Sequence, residues 1–297
     1  MGFRGSISGG NNRRIPRAVP PNRKLVMVTN DDSVQSNGIL ELARAAARSA
    51  QTIIVAPEQP QSATALSLTF HKPLRVTRVR RERFECYAVS GTPGDCVMVG
   101  VNKVLPRRPD LVVSGINIGD NNTFQDILAS GTVAAALESA ITGIPAIAFS
   151  LEVPGETMFA LEYDQPDFTN AGIIAGEIIG DVLEYGMPEG AEMLNVNFPN
   201  KVQPTTPIKI TELGRRKYKD GVIVRRDPRG RPYYWLFGER LSTFPERTDA
   251  EAVLVKKHVS ITPMFIRMSG PASKDLSRLR DRVEGRLRIQ KTRRAQR

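Results

Sequence analysis

The chain has 297 residues, 40% of them hydrophobic, and no stretch approaches the ~20 consecutive apolar residues of a membrane-spanning helix. Its formal net charge of +11 lies at the ends, because residues 1–24 carry six basic and no acidic residues and residues 273–297 carry ten basic and three acidic ones, which leaves −2 between them. We therefore expect a globular protein of one or two domains that does not bind a membrane. Because the region between the tails is nearly neutral, we expect nucleic acid to bind only through the tails, if at all.

The predicted elements alternate between strand and helix. Residues 25–30 form a short apolar run typical of a buried parallel strand, and residues 38–50 have helical Ile, Leu and Ala spacing. The alternation continues with a strand at 52–57, a helix at 95–105, a strand at 111–115, a helix at 132–142, a strand at 145–151, a helix at 168–185 and a strand at 193–198. This order predicts a Rossmann-like α/β fold, a mostly parallel sheet with helices on both faces.

The pattern changes after about residue 205. A strand is predicted at 208–211, and two β-rich runs at 222–226 and 232–237 flank a turn at 227–231, which indicates a protruding C-terminal β-hairpin. A strand at 258–263 follows. We expect residues 1–24 to be a basic disordered leader, residues 25–265 to form the main domain, and residues 271–297 to be a basic tail that can form a helix.

Polar residues follow the first predicted strand in the segment Asn30-Asp31-Asp32. Ligands of such sheets bind beyond the carboxyl ends of the strands, and adjacent carboxylates repel each other unless a cation lies between them. A divalent metal site is one interpretation. The other is a solvated turn in which one aspartate caps the next helix.

Further candidates lie at other strand ends. Ser62 follows the second strand and Asn117 follows the third, although both residue types are common in ordinary turns. Ser130, Gly131 and Thr132 open an Ala-rich helix and could bind a phosphate there or simply cap the helix. The segment 89–96 suits a sharp strand-to-helix turn. Two cysteines are too few for a disulfide framework, which favours the cytoplasm.

Several enzyme classes lack their motifs. The chain has no G-x-G-x-x-G, no G-x-x-x-x-G-K-[ST] and no G-x-S-x-G, which argues against dinucleotide oxidoreductases, P-loop NTPases and α/β-hydrolases. With two histidines, the chain offers little material for a His-based triad or a zinc site.

Taken together, the segments resemble the SurE family of survival-protein phosphatases, which are nucleoside monophosphate phosphatases with a Rossmann-like fold. The resemblance runs from residue 24 to about residue 263 and rests on VTNDD at 28–32, VAPEQPQSA at 55–63, YAVSGTPGDCV at 87–97, PDLVVSGINIG at 109–119, SGTVAAALESA at 130–140, GIPAIAFSL at 143–151 and DPRGRPYYW at 227–235.

The resemblance implies a set of site residues. One divalent ion per subunit, Mg²⁺ or Mn²⁺, would be held by Asp31, Asp32, Ser62 and Asn117, with the aspartates as the catalytic residues. The phosphate and substrate pocket would contain Asn30, Ser114, Gly115, Ser130, Gly131 and Thr132. The chain departs from the family pattern at three positions. Ser33 stands where Gly is usual, Leu66 where many members have His, and Ala129 where Tyr is common.

The expected function is a metal-dependent phosphomonoesterase of the 5′-nucleotidase type. Its substrates would be nucleoside monophosphates and other small phosphate esters or polyphosphate. By resemblance, the hairpin is a candidate for exchange between subunits of a homodimer or homotetramer. The alternatives are a nucleotide- or RNA-binding protein with a vestigial site that uses its basic tails, and an enzyme that cleaves a nucleoside N-glycosidic bond.

Overall fold

The computed structural model describes residues 23–154, 166–267, 269–271 and 273–295. All but the last two residues of the expected leader at 1–24 lie outside this range. The described part divides into two compact units, of which the first ends at Phe265 and the second begins at Ile266. The second unit contains one long helix, α6. No helix in the described ranges is both long and apolar enough to cross a membrane.

The strands agree closely with the predicted alternation. Their bounds are β1 Leu25–Thr29, β2 Gln51–Pro57, β3 Val76–Arg81, β4 Phe84–Val89, β5 Leu111–Ile118, β6 Ala146–Leu151, β7 Met193–Phe198, β8 Ile208–Ile210, β9 Tyr218–Arg226, β10 Pro232–Arg240 and β11 Val259–Met264. The helices are α1 Asn37–Ala46, α2 Pro93–Val99, α3 Thr123–Ile127, α4 Gly131–Ile141, α5 Thr169–Tyr185 and α6 Lys274–Ala295, with π-helical turns at Gly100–Val104 and Glu251–Val255.

The main sheet has the strand order β3-β4-β2-β1-β5-β6-β7-β11-β8, and β9 and β10 form a separate two-stranded sheet. In the order of the sheet, the six neighbouring strands β4, β2, β1, β5, β6 and β7 are parallel. Strand β3 pairs antiparallel with β4, and β11 pairs antiparallel with β7. The prediction of a mostly parallel sheet is therefore confirmed. The chain builds β2 and β4 on one side of β1 and then β5, β6 and β7 on the other. This reversal makes the crevice between β1 and β5 the place where such folds bind ligands.

Helices cover both faces of the sheet, as predicted. Val26 and Val28 of β1 belong to the core formed with α1 and α5, which pack on each other. Met27 faces the opposite layer, because a Cβ added at Gly100 would lie 2.7 Å from its Cε. On that side α2 packs on α4. Both layers therefore hold β1 in place from its two faces.

Two elements have no counterpart in the prediction. The edge strand β3 is largely exposed and rich in arginine, so its residues do not form an apolar run. Helix α3 has five residues, which is too short for a helical period to be recognised. The hairpin strands are also longer than predicted, at nine residues each.

Candidate metal centre

The predicted site lies at the carboxyl ends of the neighbouring strands β1 and β5. Asp31 and Asp32 come soon after β1, and Asn117 lies near the end of β5. Thr29 of β1 is directly opposite Ser114 of β5 in the sheet register. The aspartates therefore occupy the strand-order reversal, where a doubly wound sheet binds its ligands.

Asp31 is held by the first turn of α4. The carboxylate accepts a hydrogen bond from the Thr132 hydroxyl, and its side chain lies so close to Gly131 that a Cβ there would be 2.8 Å from the Asp31 Cβ. Ser130 caps the helix, since its Oγ accepts from the N–H of Val133 at 3.1 Å. Burial raises the pKa of Asp31, and the hydrogen bonds from Thr132 and the N–H of Gly131 oppose this shift.

The carboxylate of Asp32 accepts fewer hydrogen bonds than that of Asp31. Its Oδ2 accepts from the N–H of Ile118 at 3.1 Å. Burial, followed by the negative charge of Asp31, raises the pKa of Asp32 to about 7. Asp31 is buried and Asp32 is half-buried, and a divalent cation would stabilise the charged forms of two such adjacent carboxylates. The residues present therefore fit the metal ion that the resemblance implies.

The other two predicted metal ligands lie on segments that contact the aspartates. Asn117 precedes Ile118 in the chain, and its Nδ2 donates to the carbonyl of Gly119 at 2.7 Å, which fixes the orientation of its amide. Ser62 is exposed, and the residue before it, Gln61, donates its N–H to the carbonyl of Asp31 at 2.7 Å.

The donor set suits a hard cation. Among the described residues, no group of three or more His, Cys, Asp or Glu side chains could hold a metal ion. A cation at Asp31 and Asp32 therefore needs oxygen ligands from uncharged side chains. Ser62 and Asn117 offer a hydroxyl and an amide oxygen, and oxygen ligands of this kind are those that Mg²⁺ and Mn²⁺ use.

Three predicted pocket residues shape the base of the site. Asn30 donates from Nδ2 to the carbonyl of Ser33 at 3.0 Å and to Oγ of Ser36 at 2.9 Å, which holds the aspartate turn. Ser114 is fully buried, and its hydroxyl has no partner among the described residues. A Cβ at Gly115 would lie 2.2 Å from the Phe149 carbonyl oxygen, so only glycine fits there. Their contact with substrate stays a prediction.

The three departures from the family pattern lie around the same turn. Ser33 has a φ of +80°, a conformation that glycine adopts at less cost, and its Oγ accepts from the N–H of Gln35 at 3.2 Å. Leu66 is 40% exposed. The carbonyl of Ala129 accepts from the N–H of Ala65 at 3.0 Å, so the segment that carries Leu66 lies against the start of α4.

Sequence reasoning missed a largely buried ion cluster near the Asn117 segment, which we call the Lys217 cluster and define as Lys217, Asp120 and Asp126. Lys217 Nζ lies 2.8 Å from Oδ2 of Asp120 and also contacts Oδ2 of Asp126. Burial would lower the pKa of Lys217, but the two carboxylates raise it. Burial raises the pKa of Asp126 to about 6 despite the lysine. The sequence gives no signal for this cluster, because Lys217 lies in an ordinary basic segment 91 positions after Asp126.

The sequence and the fold are similar to those of known proteins. The family model described as survival protein SurE matches residues 26–220. The 5′-nucleotidase SurE of Methanocella arvoryzae is 42% identical over 246 residues, which cover 82% of this chain and 92% of that protein. The 5′-nucleotidase SurE of Hyperthermus butylicus is 41% identical over 245 residues, which cover 82% and 86%. The crystal structure of the SurE protein from Aquifex aeolicus aligns with a TM-score of 0.71 and 38% identity, covering 83% of this chain and 95% of that one.

Proposed function

The chain belongs to the survival protein SurE family, and from this membership and the geometry of its site we propose that it is a 5′-nucleotidase, which hydrolyses nucleoside monophosphates to nucleoside and phosphate. Phosphomonoester hydrolysis is the activity that its curated relatives, named 5′-nucleotidases, support. The observation that carries the proposal is the pair Asp31 and Asp32 at the strand-order reversal, in which buried Asp31 contacts the first turn of α4 and half-buried Asp32 has a raised pKa.

The proposed cofactor is one Mg²⁺ or Mn²⁺ ion per subunit, held by Asp31, Asp32, Ser62 and Asn117. When bound, such a cation polarises a phosphate ester and lowers the pKa of a coordinated water. The chain's own contribution is to keep four oxygen donors from three separate segments together before substrate arrives. The contacts of Gln61 with Asp31 and of Ile118 with Asp32 support this role.

The start of α4 is the proposed phosphate-binding element. Free N–H groups at a helix start favour negative charge, and Gly131 permits close approach to its first turn. Ser130 is 7% exposed and Thr132 is fully buried, so hydrogen bonds there face little competition from water. Because Thr132 also donates to Asp31, a phosphate held by this turn lies beside the carboxylate pair.

Replacing Asp32 with Asn tests the proposal. The change keeps the size of the side chain and removes one negative charge, so metal-stimulated phosphate release from nucleotides should be abolished. Asp275→Asn, at an exposed position of α6, is the matched control and should retain full activity. The assay is phosphate release from a panel of nucleotides and polyphosphate with Mg²⁺, Mn²⁺ or chelator. Near-normal turnover of Asp32→Asn would refute the account, and release of free base instead of phosphate would favour glycosidic cleavage.

We also propose that the hairpin of β9 and β10 joins subunits into a homodimer or homotetramer. The hairpin pairs with no other described strand, and it exposes apolar side chains on both faces, including Leu236 at 90%, Tyr234 at 64% and Trp235 at 61%. An isolated two-stranded hairpin is marginally stable in water. Packing against a second copy of the chain would bury this surface.

A further inference from the structure

Lys217 is a buried cation at the base of the hairpin. It immediately precedes β9, and its side chain is 5% exposed. The ammonium contacts Asp120 and Asp126, and the main-chain N–H groups of Lys217 and Tyr218 donate to Oε1 of Gln125 at 3.1 and 3.0 Å. Both the side chain and the main chain of Lys217 are therefore fixed against α3 and the segment before it.

The first carboxylate, Asp120, belongs to the segment that carries the metal-ligand candidate Asn117. The carbonyl of Gly119, one residue before Asp120, accepts the hydrogen bond that orients the Asn117 amide. Asp120 also accepts from Nδ2 of Asn122 at 2.7 Å. A displacement of Asp120 would therefore move the carbonyl that orients Asn117.

The second carboxylate, Asp126, belongs to the segment that leads into α4. Its main-chain carbonyl accepts from the N–H groups of Ser130 at 2.9 Å and of Ala129 at 3.0 Å. Ser130 caps α4, and the first turn of α4 holds Asp31. A displacement of Asp126 would therefore move the helix start relative to Asp31.

We propose that Lys217 is a positioning residue, which ties the Asn117 segment to the start of α4 and so sets the spacing of the oxygen donors around Asp31 and Asp32. The inference rests on the proposed function, because it assigns Lys217 to the same site. Without the ammonium, two largely buried carboxylates would face each other without a cation, so they would either repel each other or share a proton, and the spacing of the two segments would change. Groups that hold metal ligands in place typically affect metal affinity or activity by ~10–100-fold when they are removed.

The test compares Lys217→Met with the double variant Lys217→Met/Asp126→Asn, each in the full chain. The single variant leaves two carboxylates without a neighbouring cation, whereas the double variant leaves one. If Lys217 only neutralised charge, the double variant would recover both thermal stability and activity. For a positioning role, it should recover stability but still bind Mn²⁺ about tenfold more weakly and turn over about tenfold more slowly than the unmodified chain.

Each variant is characterised by three measurements: Mn²⁺ affinity by titration calorimetry, kcat and KM at saturating Mn²⁺, and the melting temperature. Lys257→Met is the control, because Lys257 Nζ also contacts a buried carboxylate, that of Glu152 at 2.9 Å, which follows β6 and belongs to neither the Asn117 segment nor α4. It should lower the melting temperature and leave Mn²⁺ affinity within about twofold.

A double variant with Mn²⁺ affinity and kcat within twofold of the unmodified chain would overturn the positioning role, and it decides the question even if the single variant fails to fold. An unmodified chain that binds Mn²⁺ but releases no phosphate would overturn the proposed function, while the Mn²⁺ affinities of the variants would still decide the role of Lys217. An unmodified chain that binds no Mn²⁺ would overturn both.

Discussion

Gly131 is a position where one added carbon should disturb the proposed metal centre. In Gly131→Ala, the new Cβ would lie 2.8 Å from Cβ of Asp31, 2.9 Å from its Oδ2 and 3.1 Å from Cγ of Pro93, so Asp31 or the helix start must shift. Such overpacking costs ~1–3 kcal/mol, and better helix propensity of alanine returns ~0.5–1 kcal/mol. The net expectation is a loss of up to ~2.5 kcal/mol in the free energy of unfolding. A displacement of a catalytic group by about 1 Å can lower the reaction rate ~10²-fold, so we expect kcat/KM of Gly131→Ala to fall by about that factor.

Gly176→Ala is the matched control for this prediction. Gly176 lies inside α5, where a Cβ would lie 3.2 Å from Nη1 of Arg48, the end of a flexible side chain, and 3.6 Å from the Ala45 carbonyl oxygen. This variant should gain ~0.5–1 kcal/mol and keep full activity. Urea unfolding and steady-state phosphate release measure both variants. If Gly131→Ala gained stability as Gly176→Ala does and kept its kcat/KM, the close contact between α4 and Asp31 would have no catalytic role.

Because burial and Asp31 raise the pKa of Asp32 from 3.8 to about 7, its contribution to the stability of metal-free protein should be greatest below pH 4 and be lost as the pH rises through about 7. Thermal melts in chelator of the unmodified chain and of Asp32→Asn measure this, and identical pH profiles would contradict it. Deleting residues 222–237 should give a smaller particle by light scattering, and an unchanged mass would show that the hairpin folds on its own subunit. Deleting residues 273–297 should leave nucleotidase activity intact and remove any salt-sensitive RNA binding; loss of activity would show that the tail serves the enzyme.

The strand-end residues were predictable because the apolar runs before them are unambiguous. Residues 25–30 have the apolar, β-branched composition of a buried strand, so Asp31 and Asp32 were predicted at the carboxyl end of that strand. Ser62 and Asn117 were weaker candidates, and the family resemblance selected them from the many Ser and Asn residues that follow strands. The structure adds that Gln61 and Ile118, their neighbours, contact the aspartates.

Other features depend on contacts between segments far apart in the chain. Lys217 lies 97 positions from Asp120, and nothing in its local sequence distinguishes it from the exposed basic residues around it. The same holds for Gly131, which a sequence interpretation treats as an opening for phosphate, whereas the structure shows that it also makes room for Asp31. Edge strand β3 was missed because it is largely exposed and three of its six residues are arginines, so its sequence has no apolar run.

The two aspartates are adjacent in sequence but differ in what stabilises their negative charge. Asp31 receives hydrogen bonds from the Thr132 hydroxyl and from N–H groups at the start of α4, a helix end that favours negative charge. Asp32 receives one from Ile118 and also experiences the charge of Asp31. When no cation is bound, Asp32 therefore takes up a proton more readily than an exposed aspartate does as the pH falls. A divalent cation must displace that proton to bind, so metal affinity should weaken below about pH 7. Because the N–H of Ile118 donates to Asp32, the Asn117 segment is the part of the protein most directly coupled to this protonation.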